Sequence, residues 1–198
     1  YPKYTPVTAA LFALGGLVGS FRLTLAVIAA LAVALTDGVV SEIFDDKTGL
    51  LAAGLLAVSP LFVVQSSAFL PYVPAFTLNL LFAWAYLRAD RTGDRRLAAL
   101  AGTAIGLSFW ARPYTAVLFA TPFVCHALWT LRTLDRATIL RQSIVAALGL
   151  CGVAAALGYN AVITGDPLTF PYEAFAPRDG LGFGEREIVG YEREYTPE

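Results

Sequence analysis

The sequence is short of charged side chains, which make up only 15% of its 198 residues. Soluble globular domains usually carry about 25%. Cysteine is also scarce, and both Cys125 and Cys151 lie inside apolar runs, which argues against a disulfide framework. The net charge of −1 shows no pattern of nucleic-acid binding, so no nucleic-acid partner is expected. His126 is the only histidine, and it has no partner at metal-ligand spacing.

What the chain has in abundance is apolar sequence, with 57% hydrophobic residues and a mean hydropathy of +0.64. Long apolar runs predict an all-α, polytopic transmembrane helix bundle in a lipid bilayer, with about six spans. The predicted spans are 23–40, 50–64, 74–87, 97–111, 114–131 and 143–163. A shorter run at 7–19 predicts an interfacial or re-entrant helix, and Pro60 predicts a kink in the second span. Small residues in 97–106 and 146–158 favour close helix–helix packing.

Arginine is concentrated in the polar breaks between these runs. The breaks at 41–49, 88–96 and 132–142 carry eight of the fourteen cationic side chains and should face the cytoplasm. Alternation then places the turns at 65–74 and 112–114 on the outer side, together with a polar extracytoplasmic C-terminal loop region. We therefore expect a multi-pass protein of the cell membrane, with a membrane region at 1–163 and an extracytoplasmic segment at 164–198.

Arg112 is the foremost candidate for a ligand contact. It lies between two apolar runs, and a charge near bilayer depth is costly unless it reaches water, a partner or a ligand. Pro113 biases Arg112 away from the α region and so tends to end the helix there. The guanidinium would then be presented at an outer helix end, where it suits bidentate contact with a phosphate. A snorkelling arginine at a turn between helices is the structural alternative.

Other polar residues fall in the same outer layer. Lys3 suits either an anionic headgroup or an interface anchor, and Tyr72 suits either a bound sugar or a solvated turn. Asp166, followed by Pro167, suits either a turn or an acid that lines a pocket. The remaining candidates close the last span or follow it, and they are Tyr159, Asn160, Tyr172 and Glu173.

Several segments together resemble a known family. They are YPKYTP, SPLFVVQSSAF, LSFWARPYTAV, GYNAVITGDPLTFPYE and GLGFGERE. In this order they resemble the membrane region of polyprenyl-phosphate-dependent glycosyltransferases, the relatives of protein mannosyltransferase and aminoarabinose transferase with the C-type membrane fold. The resemblance runs over nearly the whole chain. One departure is LPYVP after QSSAF, where many relatives carry a Ser-His-Pro-like stretch, so the role of that histidine is not carried over.

The resemblance implies an enzyme that takes a sugar from a polyprenyl- or dolichyl-phosphate donor. It passes the sugar, with inversion, to a glycan, protein or lipid acceptor on the extracytoplasmic side. A carboxylate in the first outer loop would act as general base; it is expected upstream of Tyr1, so the chain is read as a fragment without its own catalytic residue. Arg112 matches the family's Arg-Pro position and Lys3 lies near a basic residue of relatives, while Tyr172 and Glu173 fall in a segment that relatives fold over the pocket. No cofactor follows from the sequence, and a divalent metal stays open.

Two other functions stay open at this point. A transporter or flippase half would place polar sites near the bilayer midplane on broken helices, whereas here the polar residues collect at the outer ends. A non-catalytic membrane scaffold would have no organised outer pocket.

Overall fold

A computed structural model describes residues 6–17, 19–176, 184–188 and 191–195, most of which are helical. The helices are α1 Pro6–Leu17, α2 Phe21–Ile43, α3 Asp46–Val58, α4 Pro60–Ser66, α5 Tyr72–Thr92, α6 Arg95–Ala111, α7 Pro113–Thr130, α8 Arg136–Thr164 and α9 Pro171–Phe175. A 3-10 turn, Leu131–Thr133, follows α7, and two strands, β1 Gly184–Ile188 and β2 Tyr191–Tyr195, follow α9. The chain forms two compact units: residues 6–153, the helical unit, and residues from 154 onward, the C-terminal unit.

Helices occupy all six predicted spans, and most are a few residues longer than predicted. Within the described residues, three are long and apolar enough to cross a membrane: α2, α7 with its 3-10 extension, and α8. The pair α3 and α4 passes the same test together, bent by 65° at the break before Pro60. The helical membrane class and the kink are confirmed, but the number of spans that qualify is three, or four with the bent pair. The shorter α1 fits the expected short helix at 7–19.

α5 is the central helix of the helical unit. Eleven of its 21 residues are buried, against three of 23 in α2, where Leu23 and Leu31 are exposed. Phe82 and Tyr86 of α5 pack with Ala101 and Ala104 of α6 in the main apolar cluster. The buried position of α5 explains why it is less apolar than a lipid-facing span. Polar Asn79 and a charged last turn lower its hydropathy, and protein surrounds it instead of lipid.

Glycines bring α6 and α8 into contact, as the small residues predict. A Cβ atom on Gly106 would lie 3.0 Å from the Cα of Gly152, and one on Gly102 would lie 2.6 Å from the carbonyl oxygen of Val145. Such close approach of two backbones is the usual role of small residues at helix interfaces in membranes. Cys125 and Cys151 are free, so no disulfide joins them, and both are exposed on their helices instead of packed in the core.

The three arginine-rich breaks meet at one end of the helical unit. Glu42 accepts hydrogen bonds from Arg88 and Arg91, each at 2.8 Å, which joins α2 to α5. Asp90 pairs with Arg141, which joins α5 to α8. We call this the Glu42 end. It gathers the breaks at 41–49, 88–96 and 132–142, as alternation predicts.

Aspartates begin the helices that start at the Glu42 end. Asp45 accepts hydrogen bonds from two first-turn N–H groups of α3 at 2.9 and 3.0 Å. Asp94 accepts one from α6 at 2.7 Å, and Asp135 accepts one from α8 at 3.0 Å. These bonds satisfy N–H groups that have no partner inside the helix, so each break is a tight, capped turn.

The C-terminal unit contains more regular structure than a polar loop region. α9 follows the end of α8, and β1 and β2 pair antiparallel in the register Gly184↔Tyr195 to Ile188↔Tyr191. The extracytoplasmic placement of 164–198 stays a prediction, and the hairpin is an addition to the predicted all-α class. Its strands GEREI and YEREY are mostly charged, so they lack the β-branched alternation that marks a strand in sequence.

Candidate functional site

Arg112 lies at the junction where α6 ends and α7 begins. Its N–H donates to the carbonyl oxygen of Ser108 at 2.7 Å, and its own carbonyl accepts from Ala116 at 3.0 Å. Its backbone, with φ −151° and ψ 88°, is outside the helical region, and Pro113 is the first residue of α7. The structure thus confirms that the Arg112–Pro113 pair breaks the helix. Arg112 is therefore both the C-cap of α6 and the N-cap of α7.

The side chain of Arg112 lies against Tyr72. The guanidinium carbon is 4.4 Å from the centre of the tyrosine ring, within the range of a cation–π contact. Tyr72 is the first residue of α5 and is 43% exposed, so the pair is accessible from outside the unit. Two residues 40 positions apart, both predicted in the outer layer, are therefore neighbours. We call this the Arg112 end of the helical unit.

Buried contacts between α5 and α6 hold this pair in place. Ser108 donates to the side-chain oxygen of Asn79 at 2.6 Å, and both side chains are almost fully buried. Arg112 lies one helical turn after Ser108, and Tyr72 lies two turns before Asn79. Because the hydrogen bond fixes the register of the two helices, it also fixes the level at which Arg112 meets Tyr72.

α1 supports the same end from the side. Val7 packs in one cluster with Ala75 of α5 and Ala111 of α6. Ala111 immediately precedes Arg112, and Ala75 lies one turn into α5. The short predicted helix therefore helps to position the pair.

The helical unit is electrically asymmetric. Its seven carboxylates all lie at or towards the Glu42 end, and they are Asp37, Glu42, Asp45, Asp46, Asp90, Asp94 and Asp135. α2, α5 and α7 begin at the Arg112 end, and none has an acidic residue in its first turn. Helix N-termini carry partial positive charge. Together with the guanidinium of Arg112, they make this end suited to an anion.

Three of the other predicted residues lie near the end of α8 and in the turn after it. Asn160 is buried and donates to the carbonyl oxygen of Pro167 at 3.1 Å. Asp166 accepts from the N–H of Leu168 at 3.1 Å and from the hydroxyl of Thr169 at 2.8 Å. The bonds from Leu168 and Thr169 hold the pKa of the Asp166 carboxyl below its ordinary value. The geometry matches the turn interpretation of Asp166, while Tyr159 lies half-buried on α8 next to Asn160.

Tyr172 and Glu173 lie on α9. Glu173 accepts a hydrogen bond from the N–H of Phe170 at 3.3 Å, which caps the start of this helix. Tyr172 is half-buried and Glu173 is exposed. Arg112 and Tyr72 belong to the helical unit, whereas Tyr159, Asn160, Asp166, Tyr172 and Glu173 belong to the C-terminal unit. Lys3 lies outside the described residues.

No group of three or more His, Cys, Asp or Glu side chains that could hold a metal ion occurs in the part of the chain that the structure describes. The structure also shows residues that the candidate set omitted. Asn79 is one of them, because its buried hydrogen bond with Ser108 sets the level at which α5 and α6 pack.

These features define an integral-membrane protein with a cationic site at one end of its helices. A family model described as dolichyl-phosphate-mannose-protein mannosyltransferase matches residues 3–165, well over half of the chain. The chain belongs to this family, as the sequence motifs indicated, and it is a membrane glycosyltransferase. No curated protein and no solved structure matches it.

Proposed function

We propose that the protein transfers a mannose-class sugar from a dolichyl- or polyprenyl-phosphate donor to a protein hydroxyl outside the cytoplasm. The observation that carries this proposal is the guanidinium of Arg112 held against Tyr72 at the carboxylate-free end of the helical unit. The family description supports mannose, a lipid phosphate and a protein acceptor as the chemical classes involved.

In the proposed reaction, the acceptor oxygen attacks the anomeric carbon and the bond from that carbon to the phosphate oxygen breaks. The bonding electrons leave with the lipid phosphate, and in-line displacement inverts the anomeric centre. Negative charge therefore grows on the phosphate, where a preorganised guanidinium stabilises it. The hydroxyl proton passes to a carboxylate base. The carboxylates of the helical unit lie towards the Glu42 end, so Arg112 serves the leaving phosphate and not the base.

The orientation of the site follows from charge. Seven arginines and one lysine lie in the breaks at the Glu42 end, and such breaks face the cytoplasm in membrane proteins. The Arg112 end then opens to the extracytoplasmic side of the cell membrane, where a lipid-linked sugar and a secreted acceptor would meet. On the sequence pattern alone, Lys3, Tyr159, Asn160, Asp166, Tyr172 and Glu173 are further candidates for substrate contact.

The test uses the full-length protein in membranes, with radiolabelled dolichyl-phosphate mannose and an acceptor peptide. Arg112→Gln should reduce kcat/KM by about 100-fold or more, the usual effect of removing one donor to a developing oxyanion. Arg132→Gln is the matched control, because Arg132 also lies over an aromatic ring, 4.7 Å from Trp129, but at the Glu42 end. Its transfer rate should equal that of the wild type.

Two substitutions of Tyr72 test whether its ring is needed to position the guanidinium of Arg112. Tyr72→Phe keeps the ring beneath Arg112 and should keep the donor KM, while Tyr72→Leu removes the ring and should raise it. Wild-type transfer by a folded Arg112→Gln protein would show that the phosphate role is wrong. Movement of the labelled lipid across the membrane without a glycosylated peptide would favour the transporter alternative.

A further inference from the structure

We propose that the outer face of α3 binds an anionic phospholipid, with the lipid phosphate on Lys47 and an acyl chain in the adjoining apolar groove. The groove has a volume of about 420 Å³ and is lined by Lys47, Leu50, Leu51, Gly54 and Leu55. None of these residues contributes to the Arg112 end. The inference goes beyond the proposed function and does not depend on it, because it requires only that the helical unit lies in a membrane.

Gly54 leaves a gap in the leucine-rich face of α3. A Cβ atom added to Gly54 would have no other atom within 4 Å. The leucines that line the same groove, Leu50, Leu51 and Leu55, are 71, 63 and 61% exposed. An acyl chain suits an apolar gap of this kind, because a methylene chain has no polar group that burial would leave without a hydrogen bond.

The groove lies on the side of α3 that faces away from α2. Gly49 and Ala53 are the buried residues of α3, and a Cβ atom on Gly49 would lie 2.8 Å from the carbonyl oxygen of Asp37 in α2. At 3.6 residues per turn, the groove residues are centred on the opposite side of the helix. A contiguous exposed apolar face of a membrane protein is a surface for lipid chains.

Lys47 lies at the end of the groove nearest the membrane surface. It is the second residue of α3, at the Glu42 end, and it is exposed. No described residue forms an ion pair with it. Gly54 is seven residues further along, about 10 Å into the hydrocarbon layer at 1.5 Å per residue. The ammonium group can therefore bind a lipid phosphate at the surface while the acyl chain of the same lipid runs along the groove.

The two carboxylates next to Lys47 in sequence lie outside the groove. Asp45 accepts hydrogen bonds from the N–H of Lys47 and from the N–H and hydroxyl of Thr48, so its oxygens are engaged at the helix end. Asp46 is about 100° around the helix from Lys47 and is not a groove residue. Among the described residues that line the groove, Lys47 is the charged one, which favours an anionic headgroup over a zwitterionic one.

Arg96 provides a matched control for Lys47. It is the second residue of α6, and its N-cap Asp94 accepts its N–H at 2.7 Å, as Asp45 accepts that of Lys47 at 2.9 Å. Both residues are exposed cations in the first turn of a helix at the Glu42 end. Lys47 lines the groove and Arg96 does not. A comparison of the two therefore separates binding at the groove from a general attraction of surface charge for anionic lipid.

The experiment follows the thermal midpoint of the full-length protein in detergent while phosphatidylglycerol or phosphatidylcholine is titrated. For the wild type, phosphatidylglycerol should reach its half-maximal effect at about a fivefold lower concentration, the factor expected for one cation beside an anionic lipid. Lys47→Gln should remove this preference, and Lys47→Arg should keep it. Gly54→Leu should weaken the effect of both lipids, because leucine fills the gap that the acyl chain occupies. Arg96→Gln should match the wild type.

Three results would overturn the inference. An equal loss of the preference in Arg96→Gln and Lys47→Gln would mean that surface charge in general attracts the lipid. Equal half-maximal concentrations of the two lipids for the wild type would mean that the groove holds ordinary bilayer lipid or another segment of the full-length protein. A dimer that dissociates in Gly54→Leu, measured by light scattering, would assign the groove to a second copy of this chain.

Discussion

Arg112 combines a backbone role with a side-chain role. Its extended backbone ends α6 and lets Pro113 begin α7, which places the side chain at a helix end and not within a span. The ring of Tyr72 then holds the guanidinium by a contact that does not use its N–H donors. The contact with Tyr72 thus orients the guanidinium, which is what the proposed phosphate role requires.

Asp166 has a pH dependence that follows from its turn. The N–H of Leu168 and the hydroxyl of Thr169 lower the pKa of its carboxyl below the value of about 3.9 expected in an unfolded chain. A group with a lowered folded pKa stabilises the turn above the unfolded value, and this contribution is lost as pH falls through the folded pKa.

We therefore expect the hydrogen-exchange protection of the Leu168 amide to be constant from neutral pH to about pH 5 and to decrease below about pH 4, after correction for intrinsic rates. Asp166→Asn keeps an oxygen acceptor but cannot titrate, so its protection should not change over this range. The same pH response in both proteins would show that another group governs the turn.

At the scale of elements, the contact between α6 and α8 is the most sensitive to size. A Cβ atom on Gly152 would meet the backbone of Gly106 more closely than atoms can approach, and neither backbone can move aside without shifting its helix. We expect Gly152→Ala to destabilise the protein by about 1–3 kcal/mol, the usual cost of overpacking. The thermal midpoint in detergent measures this effect.

Gly54→Ala is the control for this substitution. Gly54 lies in α3 with no atom within 4 Å of its added Cβ, so alanine should leave the midpoint equal or slightly higher through its better helix propensity. Equal midpoints for Gly152→Ala and the wild type would contradict close contact between α6 and α8.

The elements were largely predictable, since apolar runs and polar breaks are local features of the chain. The helix ends were less predictable. Asp45, Asp94 and Asp135 cap the helices that follow them, so these helices begin within the polar breaks. The hairpin was missed, since its charged strands have no apolar face in sequence. The pairing of Tyr72 with Arg112 was also beyond sequence reasoning, which placed both in one layer but could not determine how α5 packs against α6.

At the scale of the whole molecule, the helical unit separates its charges by function. Carboxylates and their arginine partners join helices at the Glu42 end, while the Arg112 end keeps cations without carboxylates. Sequence alternation predicted which breaks share an end, because antiparallel connection by short turns allows little else. The number of spans was not predictable in the same way, because α5 and α6 are packed among other helices and do not need full lipid-facing hydropathy.

Single cysteines test this arrangement in sealed vesicles, in a background with Cys125 and Cys151 replaced by alanine. Thr92→Cys and Thr133→Cys lie at exposed positions of the Glu42 end, and Ser67→Cys lies at an exposed position before α5. A membrane-impermeant maleimide should label the first two only from the cytoplasmic side and the third only from outside. Labelling of positions 92 and 133 from opposite sides would show that the breaks do not share an end.

The break between α3 and α4 has a consequence for how the chain enters its membrane. At 1.5 Å per residue, α3 is about 20 Å long and α4 about 10 Å, so each alone is shorter than the hydrocarbon layer of about 30 Å. An insertion channel that samples one segment at a time would encounter α3 and α4 as two helices, each too short to cross the hydrocarbon layer alone. We therefore expect stable integration of residues 46–66 to depend on packing against α2 and α5, the helices that they contact.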